Sequence, residues 1–437
     1  MYDAEAIVIG GGHNGLICAA YLAKAGVTTI LVEARDSVGG CASTVADMGA
    51  RFNICACDHS LIRAMPLIDE LNLSSHGLDY LEPEATYVNA FHENSGSWVF
   101  YHDSNQTLDG LSITHPSEVA NYKRYLVDAI PVAKLVIEIA QSGASMTEFL
   151  QVASRKRMKG VSKLLRWSKA SAVDVFKDYF DDWHLYMPGI STGPTVWGAP
   201  PEAPGTGLAA TVYATRHLIA SGRPRRGSGS LPDAILKSYL SHGGQVRLKS
   251  IVEKLQIEKN KVKAVQLQDG SVIEAPTVIA ACDPHTVLVN WIDEAPVSAK
   301  SLISRWQKEP APEGYESKLD GIVQNLPTYK FMSELTGKFD HTDLTQSTVI
   351  ISPSPEKLKE AHILKDQGLI SDQPTMLASI PSALDPEMKA DNGLHTFGLE
   401  VLFTPYSLNG GWKGSEQPDR WIDIWGNVMD GDFRSQI

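Results

Sequence analysis

Residues 5–33 run Glu-Ala-Ile-Val-Ile-Gly-Gly-Gly-His-Asn-Gly, a helix-forming stretch, then Thr-Ile-Leu-Val-Glu. This unit constrains the fold more than any other part of the chain. The apolar run Ala6–Ile9 predicts a buried parallel strand, and Gly10, Gly12 and Gly15 fill a G-x-G-x-x-G frame. The first glycine permits a tight turn, the second lets backbone approach a pyrophosphate, and the third lets helix pack on strand. His13 and Asn14 lie inside this loop, at the start of a helix running to about Lys24 and closed by Gly26. Their N–H groups sit where the helix dipole favours phosphate, and His13 reads as a helix-start residue rather than a base. Val27–Val32 predicts a second strand ending in Glu33, whose carboxylate stands where a ribose diol acceptor is expected. A parallel sheet with crossover helices, an α/β fold, follows.

The next residues choose between dinucleotides. Glu33-Ala34-Arg35 is followed by Gly39-Gly40-Cys41. An acidic residue, a basic residue two later and a glycine pair resemble the E-x-R-x-x-x-G-G extension of FAD-binding flavoproteins. Glu33 would accept from ribose hydroxyls, Arg35 would lie near adenine or phosphate, and Gly39-Gly40 leaves room for the pyrophosphate and ribityl chain. A carboxylate at position 33 disfavours a 2′-phosphate. Cys41 is expected near the cofactor.

The N-terminal block resembles the phytoene-desaturase-like flavoproteins, a branch of the large FAD family that includes amine oxidases and carotenoid desaturases. A second block extends the likeness: Arg226-Gly-Ser-Gly-Ser-Leu, Pro232–Leu240, Gly243-Gly244, Val246-Arg-Leu, Ile251-Val252, Val262–Leu267, Asp269-Gly270 and Val278-Ile-Ala-Ala-Cys-Asp-Pro. The resemblance implies a glycine-rich turn, a helix, a strand whose valine (Val252) faces the adenine, a hairpin, and a strand returning to the FAD domain. Lys259-Asn260-Lys261 and Asp269-Gly270 carry the turn chemistry such a hairpin needs. Pro201 and Pro204-Gly205-Thr206-Gly207 resemble a segment of the pyridine nucleotide-disulphide oxidoreductase domain-containing protein 2-like subgroup, which also takes in some carotenoid isomerases and desaturases.

At 437 residues two linked domains are expected. Residues 1–75 and 220–290 are assigned to a discontinuous FAD-binding domain, a Rossmann-like parallel sheet with a β-hairpin or meander insertion. Residues 76–219 and 291–437 are assigned to an α+β substrate domain. Strands are read at Thr86–Phe91, Trp98–Tyr101, Gly321–Val323, Ser347–Ile351, Thr375–Ile380 and His395–Phe403, with helices at Val119–Ile130, Lys134–Gln141 and Val173–Tyr179. The family carries a further glycine-rich flavin-contacting stretch near its C-terminus. None follows Trp421–Met429, so the C-terminal part of the FAD domain is expected to be absent, or completed by a partner chain.

A net charge of −12 argues against nucleic acid as a partner. No apolar run approaches the ~18–20 residues that span a bilayer. The five cysteines include no C-x-x-C pair; Cys55-Ala56-Cys57 is the closest spacing, which opposes a dithiol mechanism. With no leader ahead of the first strand, a cytoplasmic protein is expected. The basic stretch 155–169, with Val161, Leu164, Leu165 and Trp167, is either a solvated helix on the core or an interfacial helix touching a membrane.

No H-E-x-x-H, G-x-S-x-G or Cys/His metal spacing occurs, so no metal and no catalytic acid or base is assigned; His59 is either a pocket residue or a packed one. The leading expectation is an FAD-dependent oxidoreductase passing an electron pair from a small apolar, polyene-type substrate to flavin, by desaturation or isomerisation. A flavin amine oxidase is the alternative within enzymes. A non-catalytic or cofactor-poor homologue acting through partners is the alternative of another class.

Overall fold

A computed structural model describes residues 2–437 except 56, 143–146, 148–150, 152–153, 155–158, 194–197, 294–295, 310–313, 333–334 and 336–342. Strands Thr277–Ala280, Ala6–Ile9, Thr29–Val32 and Gln245–Arg247 lie in that order in one parallel sheet, with Ala6 paired to both Thr277 and Thr29. The two central strands and the two edge strands of this sheet come from stretches of chain more than two hundred positions apart.

Alternation decides what covers each face. Val8 and Leu31 point to one side, where Leu16, Ala19, Ala20 and Ala23 of helix His13–Lys24 pack with Leu231, Ala234, Ile235 and Tyr239 of helix Ser230–Ser241. Ile7, Ile9, Ile30 and Val32 point to the other and meet Val252, Val265, Leu267 and Ile273 of a three-stranded antiparallel sheet. Because both faces are covered, the strands read as unbroken apolar runs. Lys259 and Asn260 take positive φ in the expected hairpin turn.

The second sheet has six strands, ordered Glu316–Val323, His395–Leu402, Met376–Ser379, Thr348–Ser352, Ala85–Phe91 and Trp98–Tyr101. Only Thr348–Ser352 and Ala85–Phe91 run parallel among its pairs. One face is largely apolar: Val88, Val99, Val349, Ile351, Met376, Phe397, Leu399 and Val401 pack beneath Trp421, Ile422 and Trp425 of helix Gln417–Gly426. The other face is divided. Tyr87, Phe91, Trp98 and Phe100 pack against Tyr122, Tyr125, Phe176 and Tyr213 of the helical layer. At the opposite edge the same face carries Glu316, Lys318, Asp320 and Glu400, since Lys318 pairs with Glu400 and alternate residues share a side.

Two sequence readings change. Val119–Gln141 is one helix, running through Pro131 without a break. Tyr125, Leu126, Ala129, Val132, Ala133 and Leu135 are buried on either side of the proline, and that packing outweighs the lost N–H. Strand Glu316–Val323 begins five residues earlier than its apolar end suggests. Of the basic stretch, residues 155–158 lie outside the described residues. In helix Val161–Trp167, Val161, Leu164 and Trp167 are buried in the core and Leu165 is exposed. Among the described residues no helix is long and apolar enough to cross a membrane.

Candidate cofactor and active site

Gly10, Gly12, His13, Asn14 and Gly15 gather at the carboxyl end of strand Ala6–Ile9, the edge at which parallel sheets bind ligands. Gly10 N–H donates to Val32 O at 2.8 Å, so the loop is tied to the neighbouring strand. Gly15 lies so close that a Cβ there would stand 1.9 Å from Gly10 O. Gly12 is different: a Cβ there would meet only Gly40 Cα, at 3.7 Å. Nothing in the protein requires a glycine at 12, whereas a ligand approaching the backbone does. The helix that starts at His13 has no side-chain cap at Gly12, so its first N–H groups remain for an anion.

Glu33 is buried, and its carboxylate is the hub of the loop. One oxygen accepts from Gly11 N–H at 2.6 Å and the other from Arg35 N–H at 2.9 Å. Each oxygen keeps a further lone pair for ribose hydroxyls. Ala34 is exposed beside it. Arg35 is the residue expected near adenine or phosphate. Its guanidinium turns onto Gly40 O (3.3 Å) and Ser43 Oγ (2.9 Å), so it braces the strap Gly39–Ser43. Gly39 N–H donates to Gly11 O at 2.8 Å, which fixes this strap against the glycine loop. Lys249 N–H and Ser250 N–H donate to Arg35 O and Glu33 O, bringing the start of strand Val252–Glu258 alongside Glu33. Every residue expected to contact the cofactor is thus on one edge of the parallel sheet or on the segments laced to it.

These residues fit the ADP half of FAD on two observations: the open position at Gly12 and the buried acceptor Glu33. When bound, flavin supplies two-electron redox chemistry. The chain's own contribution is to hold the adenine-ribose and pyrophosphate ends and to present the strap.

Cys41 is exposed, and its thiol lies beside Cys55. Burial, followed by the Cys41 neighbour, pushes the Cys55 thiol up to about 12. Burial pushes Cys57 up to about 11. Burial thus favours the neutral thiol at both Cys55 and Cys57. His59 is a packed residue: its Nδ1 meets the Tyr80 hydroxyl at 3.0 Å, and burial drives it down to about 4.

Sequence reasoning missed the groups beyond the strap. The hairpin Thr44–Asp47/Ala50–Asn53 carries the strap onto the polar edge of the six-stranded sheet. Lys318 Nζ donates to Asn53 O at 2.5 Å and pairs with Asp320. Arg51, Asn53, Cys55, Cys57, Lys318 and Glu400 are among the residues enclosing a cavity of about 10 Å³, room for about one water. Glu316 and Glu400 sit diagonally on adjacent strands and hydrogen-bond to each other. Burial first, then the neighbouring Glu316 charge, pushes Glu400 up to about 8; burial also raises Glu316. Burial and the neighbouring charge thus both favour the protonated form of the pair. Buried Arg223 grips Asp58 at 2.7 Å and Thr348 at 2.9 Å, tying the segment after the hairpin to the same sheet. The signal in the sequence was Glu400, a lone charge inside the apolar run His395–Phe403.

The fold and the glycine loop define a protein that holds a dinucleotide at the edge of a parallel sheet. A family model described as flavin containing amine oxidoreductase matches residues 15–313. The chain belongs to that family: it is a phytoene-desaturase-like, FAD-dependent oxidoreductase. It is 26% identical over 457 residues to a rat protein called pyridine nucleotide-disulfide oxidoreductase domain-containing protein 2, covering 95% of this chain and 76% of the relative. It is 27% identical over 373 residues to the lycopene-forming phytoene desaturase of Pantoea ananas, covering 84% and 70%. An oxidoreductase from Methanosarcina mazei shares the fold with a TM-score of 0.64 at 15% identity, over 98% of this chain and 85% of that one.

Proposed function

We propose that this oxidoreductase takes an electron pair from a substrate bearing a cationic, amine-type group. The observation that carries the reading is the placement of two carboxyls, Glu316 and Glu400, diagonally on adjacent strands of the sheet face that meets the Gly39–Ser43 strap through the hairpin. Lys318 is paired with Asp320 and Arg223 with Asp58, so these four charges balance and the Glu316–Glu400 pair is left over. A cationic group beside that pair would release its shared proton, and a carboxylate so formed would hold the amine by a charge-assisted hydrogen bond. Glu33 and the glycine loop would hold the cofactor.

The second reading is the apolar, polyene-type substrate expected from the sequence. It is favoured by the 27% identity to a phytoene desaturase.

One experiment separates them. The flavin-loaded protein is mixed anaerobically with primary and secondary amines or with polyenes, and bleaching of the flavin absorption band is followed. Bleaching by amines, weakened by Glu400→Gln, is the expected result. Bleaching by polyenes alone overturns the amine reading in favour of the second.

A further inference from the structure

We propose that the cleft between the glycine strap and helix Ser230–Ser241 is an anion site for a phosphate-bearing small molecule, separate from the dinucleotide loop. The cleft holds about 410 Å³, within the range of small-molecule pockets and larger than a bare phosphate needs. Arg51, Arg226 and Lys237 line it with His76, and Asp233 is the only acidic residue in the lining. Among the described residues neither the Arg51 nor the Arg226 guanidinium closes an ion pair, whereas the adjacent Arg225 is paired with Asp79 at 2.9 Å. Two guanidiniums and an ammonium around one exposed carboxyl leave an excess of positive charge. A phosphate, which accepts the planar guanidinium fork, complements it.

The strap separates this cleft from the cofactor loop. A Cβ on Gly40 would strike Gly12 Cα at 2.9 Å, so Gly40 faces the dinucleotide side. A Cβ on Gly39 would instead meet Pro232 and the Oγ of Ser43, which lines the cleft. The helix terminus is not the attraction here. Gly229 N–H is taken by Thr44 Oγ1 at 2.8 Å, Leu231 N–H by Ser228 O at 3.1 Å, and Pro232 has none. The side chains must bind the anion. Arg226 is held for it: the residue sits at φ +68°, a costly conformation for a residue with a side chain, and its N–H is clamped by Asp385 at 2.5 Å. Ser43 lines the cleft and also accepts from Arg35, which braces Gly40, so an occupant would touch the strap that borders the cofactor.

The test uses flavin-loaded protein titrated by calorimetry with inorganic phosphate, pyrophosphate and adenosine monophosphate. Saturable binding is expected. It should weaken roughly tenfold or more in the Arg51→Gln/Arg226→Gln double variant and in Lys237→Gln, and weaken with added salt. Both arginines and Lys237 are exposed, and an unchanged melting midpoint will show that the variants are folded. Tighter binding of the nucleotide than of phosphate identifies a nucleotide ligand; equal binding identifies free phosphate. Absence of saturable binding at millimolar ligand overturns the proposal. So does binding that survives the double variant, or binding abolished by Glu33→Ala, which would place the anion in the dinucleotide loop.

Discussion

Single residues separate the demands of folding from those of the ligand. Gly12 has φ −66°, which any residue adopts, and a Cβ there meets nothing closer than 3.7 Å. Gly15 has no such freedom, because its Cβ would overlap Gly10 O. Gly12→Ala is therefore expected to keep the wild-type melting midpoint and lose flavin affinity, while Gly15→Ala loses both. Differential scanning fluorimetry and a flavin titration read the two effects apart; a Gly12→Ala protein that binds flavin normally would remove the pyrophosphate from this position. Glu33→Ala is expected to weaken FAD binding by about ten- to a hundredfold, since it deletes a charged acceptor worth roughly 1.5–3 kcal/mol. The Gly11 and Arg35 N–H groups lose their acceptor at the same time, so Glu33→Gln, which keeps one, should fall between.

The glycine loop, Glu33 and the strap were legible because each is dictated locally: a turn, a helix start, a strand end. Glu316, Lys318, Asp58 and Arg223 were not. Their meaning depends on which strands become neighbours and which face meets the hairpin, and no local pattern specifies that. The helix through Pro131 was misread for the same reason, since burial of both its halves in one core overrides a local breaker.

At the scale of an element, the Glu316–Val323/His395–Leu402 ribbon pairs an apolar side with an acidic one. The cost of burying Glu400 appears as pH dependence. Its native carboxyl is pushed up to about 8, against about 4.3 in an unfolded chain. Between those values the native state holds the proton and the unfolded state does not, so stability is full below the window and falls as pH rises through it. Glu400→Gln cannot ionise. It should match the wild type in denaturant midpoint near pH 4 and exceed it near pH 8.5. A variant whose midpoint tracks the wild type at both pH values would show that Glu400 is ionised in the native protein. The apolar side of the same ribbon carries no such dependence, because Phe397, Leu399 and Val401 meet only Trp421, Ile422 and Trp425 with their neighbours in the core.

Across the whole molecule, the cofactor edge is assembled from segments far apart in the chain. Strand Ala6–Ile9 pairs with Thr277–Ala280, and Glu33 O and Arg35 O receive the N–H groups of residues 249 and 250. Ligand binding therefore bears on both segments at once. A ligand that binds only the folded state stabilises it by about 2.7 kcal/mol at a hundred times its dissociation constant. Stripping the flavin is expected to lower the melting midpoint. It should also raise amide exchange together in residues 10–15, 33–40 and 247–252. The apolar side of the six-stranded sheet should keep its protection, because Leu399, Val401 and Trp425 rest on one another rather than on the cofactor edge. Hydrogen-exchange mass spectrometry of the loaded and stripped protein measures all of these segments in one run. Loss of protection confined to residues 10–15 would mean that the 247–252 segment is held by the sheet alone. The pairing of Glu33 and Arg35 with residues 250 and 249 would then be architecture, with the adenine bound elsewhere.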